Sequence, residues 1–208
     1  MNIHKEIEQR LAKRKKGQLI FLSDFRDIGS QAAIKKALSR LSKIGKIKRI
    51  AHGIYSIPKI DPLFGEINPS MEEIAHAVAK KEHVKIKPTG AYALHKLGLT
   101  TQVPMRIVYM TNGEPRQIKI GKGSIKFKAT TPKKFALQGE ISGLIVQALE
   151  ELGVENINDD IRERIKELLL KEDKKKIMND IKVAPVRISN YLYLILKEQE
   201  NDRMVKVS

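Results

Sequence analysis

The sequence predicts an α+β chain: a short helix-rich segment closed by one small hairpin, then a mixed α/β region with its own small antiparallel sheet and a helical C-terminus. Three observations carry this. Apolar residues recur at helical spacing through the first 44 residues and again beyond residue 140. They alternate at period two around 46–57 and 105–129. Between the first hairpin and the next helix lies Pro58-Lys59-Ile60-Asp61-Pro62-Leu63-Phe64-Gly65-Glu66-Ile67-Asn68-Pro69, with three prolines and no helical period. The boundaries that follow are 1–58, a linker over 59–69, and 70–208, with the sheet at about 105–130 and the helices at about 140–198.

Ile3, Ile7 and Leu11 stand at i, i+4 and i+8 and predict a first helix. It ends in Lys13-Arg14-Lys15-Lys16 before Gly17, a run that either complements the helix dipole or touches phosphate. Leu19-Ile20-Phe21-Leu22 reads as a buried strand, and Ser23 caps a brief helix over Asp24–Asp27. Ser30 is placed as the N-cap of a longer helix, with Ile34, Ala37, Leu38 and Leu41 on one stripe and Gly45 as the stop. Lys46–Ile50 and Ile54–Ile57 flank Ala51-His52-Gly53 and predict a hairpin.

In the linker, Leu63, Phe64 and Ile67 argue for a docked segment. Ser70-Met71-Glu72-Glu73 is a capping box that opens a helix toward Lys81. After the short run Val84–Ile86, Thr89 caps a helix over Ala91–Leu97. Ile107–Met110 predicts a buried strand, with Asn112-Gly113 as a turn signal. Ile118 and Ile120 oppose Lys119, while Ile125, Phe127 and Ala129 oppose Lys126 and Lys128, a hairpin with a basic side. Helices follow on Ile141–Leu152, from Asp159-Asp160 to a break or continuation near Lys174-Lys175-Lys176, and from Pro185 onward. Tyr191–Leu196 is apolar nearly all round, which predicts burial or an interface.

The 208 residues are 41% apolar, enough for a core, and carry a formal net charge of +16. The charge is uneven. Residues 1–60 hold 15 basic and 4 acidic side chains, 61–135 hold 13 and 6, and 136–208 hold 12 and 14. A basic N-terminal third points to a polyanionic partner, with nucleic acid first. The polar N-terminus and short apolar runs predict neither a signal peptide nor a bilayer span, so a cytoplasmic protein is expected. Absence of cysteine excludes disulfides, thiolate metal sites and thiol nucleophiles.

Catalytic constellations are missing, and no enzyme, cofactor or metal is predicted. Gly121-Lys122-Gly123-Ser124 lies between β-patterned runs and lacks P-loop spacing. His4, His52, His76, His83 and His95 form no i, i+4 metal-binding pair. Ser142-Gly143 is not within Gly-x-Ser-x-Gly. The strand region holds only Glu114, too few carboxylates for two-metal phosphodiester chemistry.

The N-terminal order of helix, short strand, short helix, turn, longer helix and basic hairpin is the plan of a winged helix-turn-helix, a DNA-binding module. Gln31, Lys35 and Ser39 form the exposed stripe of its longer helix and are candidates for base edges. Ser30 caps the helix and reaches a phosphate. Lys36, Arg40, Lys43, Lys46, Lys48 and Arg49 are candidates for phosphate, with His52 at the wing tip. The alternative is a solvated helix face. Lys119, Lys122, Lys126 and Lys128 form a possible secondary basic face, either an RNA surface or lysines that guard a sheet edge. Tyr55 is read as core.

Residues 17–58, through Ser30-Gln-Ala-Ala-Ile-Lys-Lys-Ala-Leu-Ser-Arg40 and His52-Gly-Ile-Tyr-Ser-Ile-Pro58, resemble the winged helix of the abortive-infection type E (AbiE) antitoxin family. Pro88-Thr-Gly-Ala-Tyr-Ala-Leu-His-Lys-Leu-Gly-Leu-Thr-Thr-Gln-Val-Pro104 resembles the start of that family's C-terminal domain. The resemblance implies the antitoxin of a bacterial type IV toxin–antitoxin, phage-defence system. Such a protein represses its own promoter at inverted repeats in double-stranded DNA, where it can sit as a homodimer. Its C-terminal domain neutralises a nucleotidyltransferase-like toxin, with or without a direct complex. The alternative is a winged-helix regulator or RNA-binding protein unrelated to toxin neutralisation.

Overall fold

The computed structural model describes residues 3–207. It is a mixed α+β chain in two units: one runs to His83 and includes Ile118–Ser124, and the other holds Val84–Gln117 and Ile125 onward. The segment expected as a linker and the helix that follows it therefore lie in the first unit, and the division falls after His83.

In the first unit, α1 (Ile3–Ala12) ends before the basic run, so Lys13–Lys16 form a turn instead of a last helical turn. β1 (Leu19–Phe21) leads into a 3-10 turn at Leu22–Phe25, earlier and tighter than expected. α2 (Gln31–Lys43) starts where Ser30 Oγ accepts from Ala33 N at 3.3 Å. β2 (Lys48–Ala51) and β3 (Ile54–Ser56) complete a sheet of order β1-β3-β2, with a bulge between Arg49 and Ala51. Ile7, Phe25, Ile34, Leu38, Leu41 and Ile47 are its core, joined by Tyr55, as expected. The alternation 34, 37/38, 41 turns one stripe of α2 inward and sends the rest of the helix to solvent.

Residues expected as a docked linker form β4 (Ile60–Asp61) and β5 (Gly65–Glu66). Asp61 accepts from the amides of Leu63 and Phe64 to hold the turn. Leu63 and Phe64 are 87% and 82% exposed, so they are not packed. α3 (Met71–Lys81) begins with the expected capping box: Glu73 N donates to Ser70 Oγ and Ser70 N donates to Glu73.

The second unit opens with β6 (Ile86–Thr89). Thr89 ends this strand instead of capping the next helix; Gly90, at φ +64°, makes the turn into α4 (Ala91–Leu97). β7 (Arg106–Thr111), β8 (Arg116–Ile120) and β9 (Gly123–Ala129) join β6 in the order β6-β7-β9-β8. Asn112-Gly113 is thus no hairpin turn: β7 neighbours β9, and Asn112 accepts from Lys85 N at 2.7 Å. β6 is an edge, the position at which Pro88 costs no ladder donor.

A helical layer follows: α5 (Pro132–Phe135), α6 (Ser142–Leu152), α7 (Asp159–Leu169), α8 (Lys174–Val183) and α9 (Val186–Val207). The helix breaks before Lys174, where Asp173 caps α8 by accepting from Lys176 N. Ile145, Leu149, Ile165, Ile181, Leu192 and Ile195 are buried together. Tyr193 and Leu194 are 36% and 50% exposed, so Tyr191–Leu196 is buried on one side only. Ahead of α6, the fully buried Asp180 accepts from Gln138 N, Gly139 N and Ser142 Oγ.

Candidate nucleic-acid interface

The buried stripe of α2 dictates what its other side presents. Gln31, Lys35, Lys36, Ser39, Arg40 and Lys43 are all exposed, as is Ser30 at the cap. Gln31, Lys35 and Ser39 fall on one line of ~12 Å at a rise of ~1.5 Å per residue, comparable to a major-groove width of ~12 Å. No residue of α2 is acidic.

Charge pairing in the first unit leaves this surface unopposed. All four acids of the first 60 residues are engaged elsewhere. Glu6 and Asp27 both hold Arg10, at 3.1 and 2.7 Å. Asp24 meets Lys81 at 2.5 Å and Arg14 at 4.0 Å, and Glu8 pairs with Lys46. The hydrogen bond from Arg10 holds Asp27 below the usual carboxylate range and raises Arg10 in turn. Among the described residues Lys35, Lys36, Arg40, Lys43 and Arg49 have no ion-pair partner.

The hairpin adds a second row. Lys46 lies in the loop before β2 instead of on the strand, and Lys48 on β2 meets Glu66 at 2.8 Å. Arg49 points to solvent, and exposed His52 occupies the turn with Gly53, whose φ is +71°. Exposed ion pairs such as Lys46–Glu8 and Lys48–Glu66 are worth ~0–1 kcal/mol, so either lysine can exchange its carboxylate for a phosphate at little cost.

The expected secondary face divides. Lys126 and Lys128 of β9 line a cleft of about 600 Å³ together with Arg106 of β7 and Lys134 of α5. Lys119 on β8 and Lys122 in the following loop do not. Arg106 and Lys134 escaped the sequence reading, although Arg106 has the opposite parity to buried Ile107 and Tyr109, a signal that would have placed it on the open face. Among the described residues no group of three His, Asp or Glu side chains could hold a metal ion, and no helix is long and apolar enough to cross a membrane.

These features define a mixed α+β chain whose first unit presents an unopposed basic helix and a basic hairpin. By sequence it belongs to DUF6088, a family of unknown function whose model matches residues 6–177. No curated protein matches it. Among solved structures it is similar to the RV2827C protein from Mycobacterium tuberculosis, at 14% identity over 91% of this chain and 80% of that one, with a TM-score of 0.42.

Proposed function

We propose that the first unit is a winged helix-turn-helix that binds double-stranded DNA, with α2 as the recognition helix and the β2–β3 hairpin as the wing. The observation that carries this reading is the pairing of every acid in the first 60 residues away from α2, which leaves the exposed charges of that helix all cationic. A surface evolved only for solubility mixes both signs. In this reading Gln31, Lys35 and Ser39 meet base edges. Ser30, Lys36, Arg40, Lys43, Lys46, Lys48 and Arg49 meet phosphate, and His52 lies at the wing tip.

The resemblance to AbiE antitoxins extends the proposal: the protein represses its own promoter at inverted repeats, as a homodimer, and its second unit neutralises a nucleotidyltransferase-like toxin. This is a binding and regulatory role in the cytoplasm, without catalysis.

The test is a fluorescence-anisotropy titration of upstream promoter DNA over a salt series. Six candidate phosphate cations, Lys36, Arg40, Lys43, Lys46, Lys48 and Arg49, predict log K falling with log salt at a slope of about −5. Lys35→Glu with Arg49→Glu abolishes promoter binding and leaves the circular dichroism spectrum unchanged. Undiminished affinity in that folded variant refutes the DNA reading. Growth rescue upon co-expression with a neighbouring nucleotidyltransferase tests the antitoxin extension, and failure to rescue overturns that part alone.

A further inference from the structure

The four-stranded sheet puts lysines where edge protection does not explain them. β9 lies between β7 and β8, so Lys126 and Lys128 sit on an inner strand; only Lys119, on the edge strand β8, fits that role. Along β7, Ile107 and Tyr109 are buried and Arg106 is exposed. Along β9, Ile125 and Phe127 are buried while Lys126 and Lys128 are exposed. Tyr109 lies between Tyr92 of α4 and Phe127, with ring centroids at 5.6 and 6.2 Å, so the other face of these strands is already packed. Three cations on two adjacent strands thus share the open face, and among the described residues none of the three is ion-paired.

That face floors the cleft of about 600 Å³, within the range of ~300–1,000 Å³ for small-molecule sites. Lys134, paired with Glu150, brings a fourth cation to the wall, and Thr130 brings a hydroxyl. Half-buried Val108 supplies apolar surface among the charges, with Met110 buried behind it. The one carboxylate in the lining is Glu151, beside Gly90, where a Cβ would lie 3.4 Å from Glu151 Oε2.

Three unpaired cations, with a fourth already held by Glu150, against the single acid of the lining select an anionic ligand. A phosphoryl group carries about −1.5 to −2 charge, so one group leaves cations unopposed and a chain of phosphates does not. Val108 and Glu151 suit a nucleoside: a base lies on Val108, and the carboxylate accepts from sugar hydroxyls or base amines. Single-stranded nucleic acid is disfavoured, because its sites stack bases on aromatic side chains and no aromatic residue lines this cleft.

We infer that the open face of the β7–β9 sheet is a binding site for a nucleoside triphosphate, with Arg106, Lys126, Lys128 and Lys134 on the phosphates and Glu151 on the nucleoside. The site is independent of DNA binding by the first unit.

The test uses the full chain, with ATP, inorganic tripolyphosphate and a short single-stranded RNA as separate probes in calorimetric titration. ATP is expected to bind one per chain. Lys126→Gln with Lys128→Gln weakens ATP and tripolyphosphate by ~10-fold or more for each cation removed. Arg106→Gln alone acts in the same direction. Glu151→Ala weakens ATP but not tripolyphosphate. Thermal unfolding that matches the parent establishes that each variant is folded. Absence of ATP binding, ATP affinity indifferent to the folded variants, or RNA binding through these cations that ATP does not displace overturns the inference.

Discussion

Replacing Asp180 by alanine tests how the second unit is held together. The carboxylate is fully buried and meets three donors: Gln138 N at 2.6 Å, Gly139 N at 2.9 Å and Ser142 Oγ at 2.6 Å. Each buried donor left unmet costs ~1–3 kcal/mol, but part of that is recovered as the loop relaxes and the Ser142 hydroxyl turns to another acceptor. Three such donors, less what this relaxation recovers, make ~3–5 kcal/mol the loss expected for Asp180→Ala. It is a large share of a folding free energy of ~5–15 kcal/mol. Ser142→Ala removes one donor with its bond and should cost ~1 kcal/mol. Urea unfolding followed by circular dichroism gives the free energies. Hydrogen exchange then locates them: the Gln138 and Gly139 amides lose protection in Asp180→Ala, while the amides of α2 keep theirs. A loss below ~1 kcal/mol for Asp180→Ala, with those two amides still protected, refutes the reasoning.

Three further outcomes follow from the same structure. Burial lowers the pKa of Lys87, whose ammonium donates to the carbonyls of Phe135 and Leu137, so the folded chain holds fewer protons than the unfolded one below the ordinary value of 10.5. Stability relative to Lys87→Met should therefore rise with pH toward 10.5, and a flat difference in denaturation midpoints contradicts it. Glu198 is held low first by its hydrogen bond from Arg162, then by Lys166. Its contribution is complete above the ordinary value of 4.5 and fades as pH falls further, so parent and Glu198→Gln should converge in acid titrations. Ser30→Ala removes the α2 cap and should cost ~1 kcal/mol; Ser30→Asp should recover the stability but not the DNA affinity, since it caps the helix with a negative charge. Equal stability of Ser30→Ala and the parent speaks against the cap.

Local physics made much of this fold legible. The stripe Ile34-Ala37-Leu38-Leu41, the Ser30 cap and the Ser70–Glu73 box are decided within a few residues, and the structure has all three. Legibility failed where distant segments arbitrate. Asn112-Gly113 has the composition of a tight turn, yet β9 takes the place beside β7, and Asn112 instead ties down Lys85. Thr89 has the chemistry of a cap, but β6 pairs it opposite Val108 and passes the turn to Gly90. For the same reason only half of the cleft could be read: Lys126 and Lys128 alternate visibly, whereas Arg106 joins them only through strand order. On α2 the exposed cations were readable from periodicity. Their freedom was not, because it depends on where Glu6, Glu8, Asp24 and Asp27 find partners.

The strand order β6-β7-β9-β8 also orders assembly. β8 and β9 are separated only by Gly121 and Lys122, so their hairpin closes a minimal loop and needs nothing else in place. β7 can reach β9 only by looping out β8, and β6 reaches β7 only across α4, each at greater chain entropy. The basic wall of the cleft is then a late product of folding: Lys126 and Lys128 arrive together on one hairpin, and Arg106 joins them only when β7 pairs with β9 across the looped-out β8.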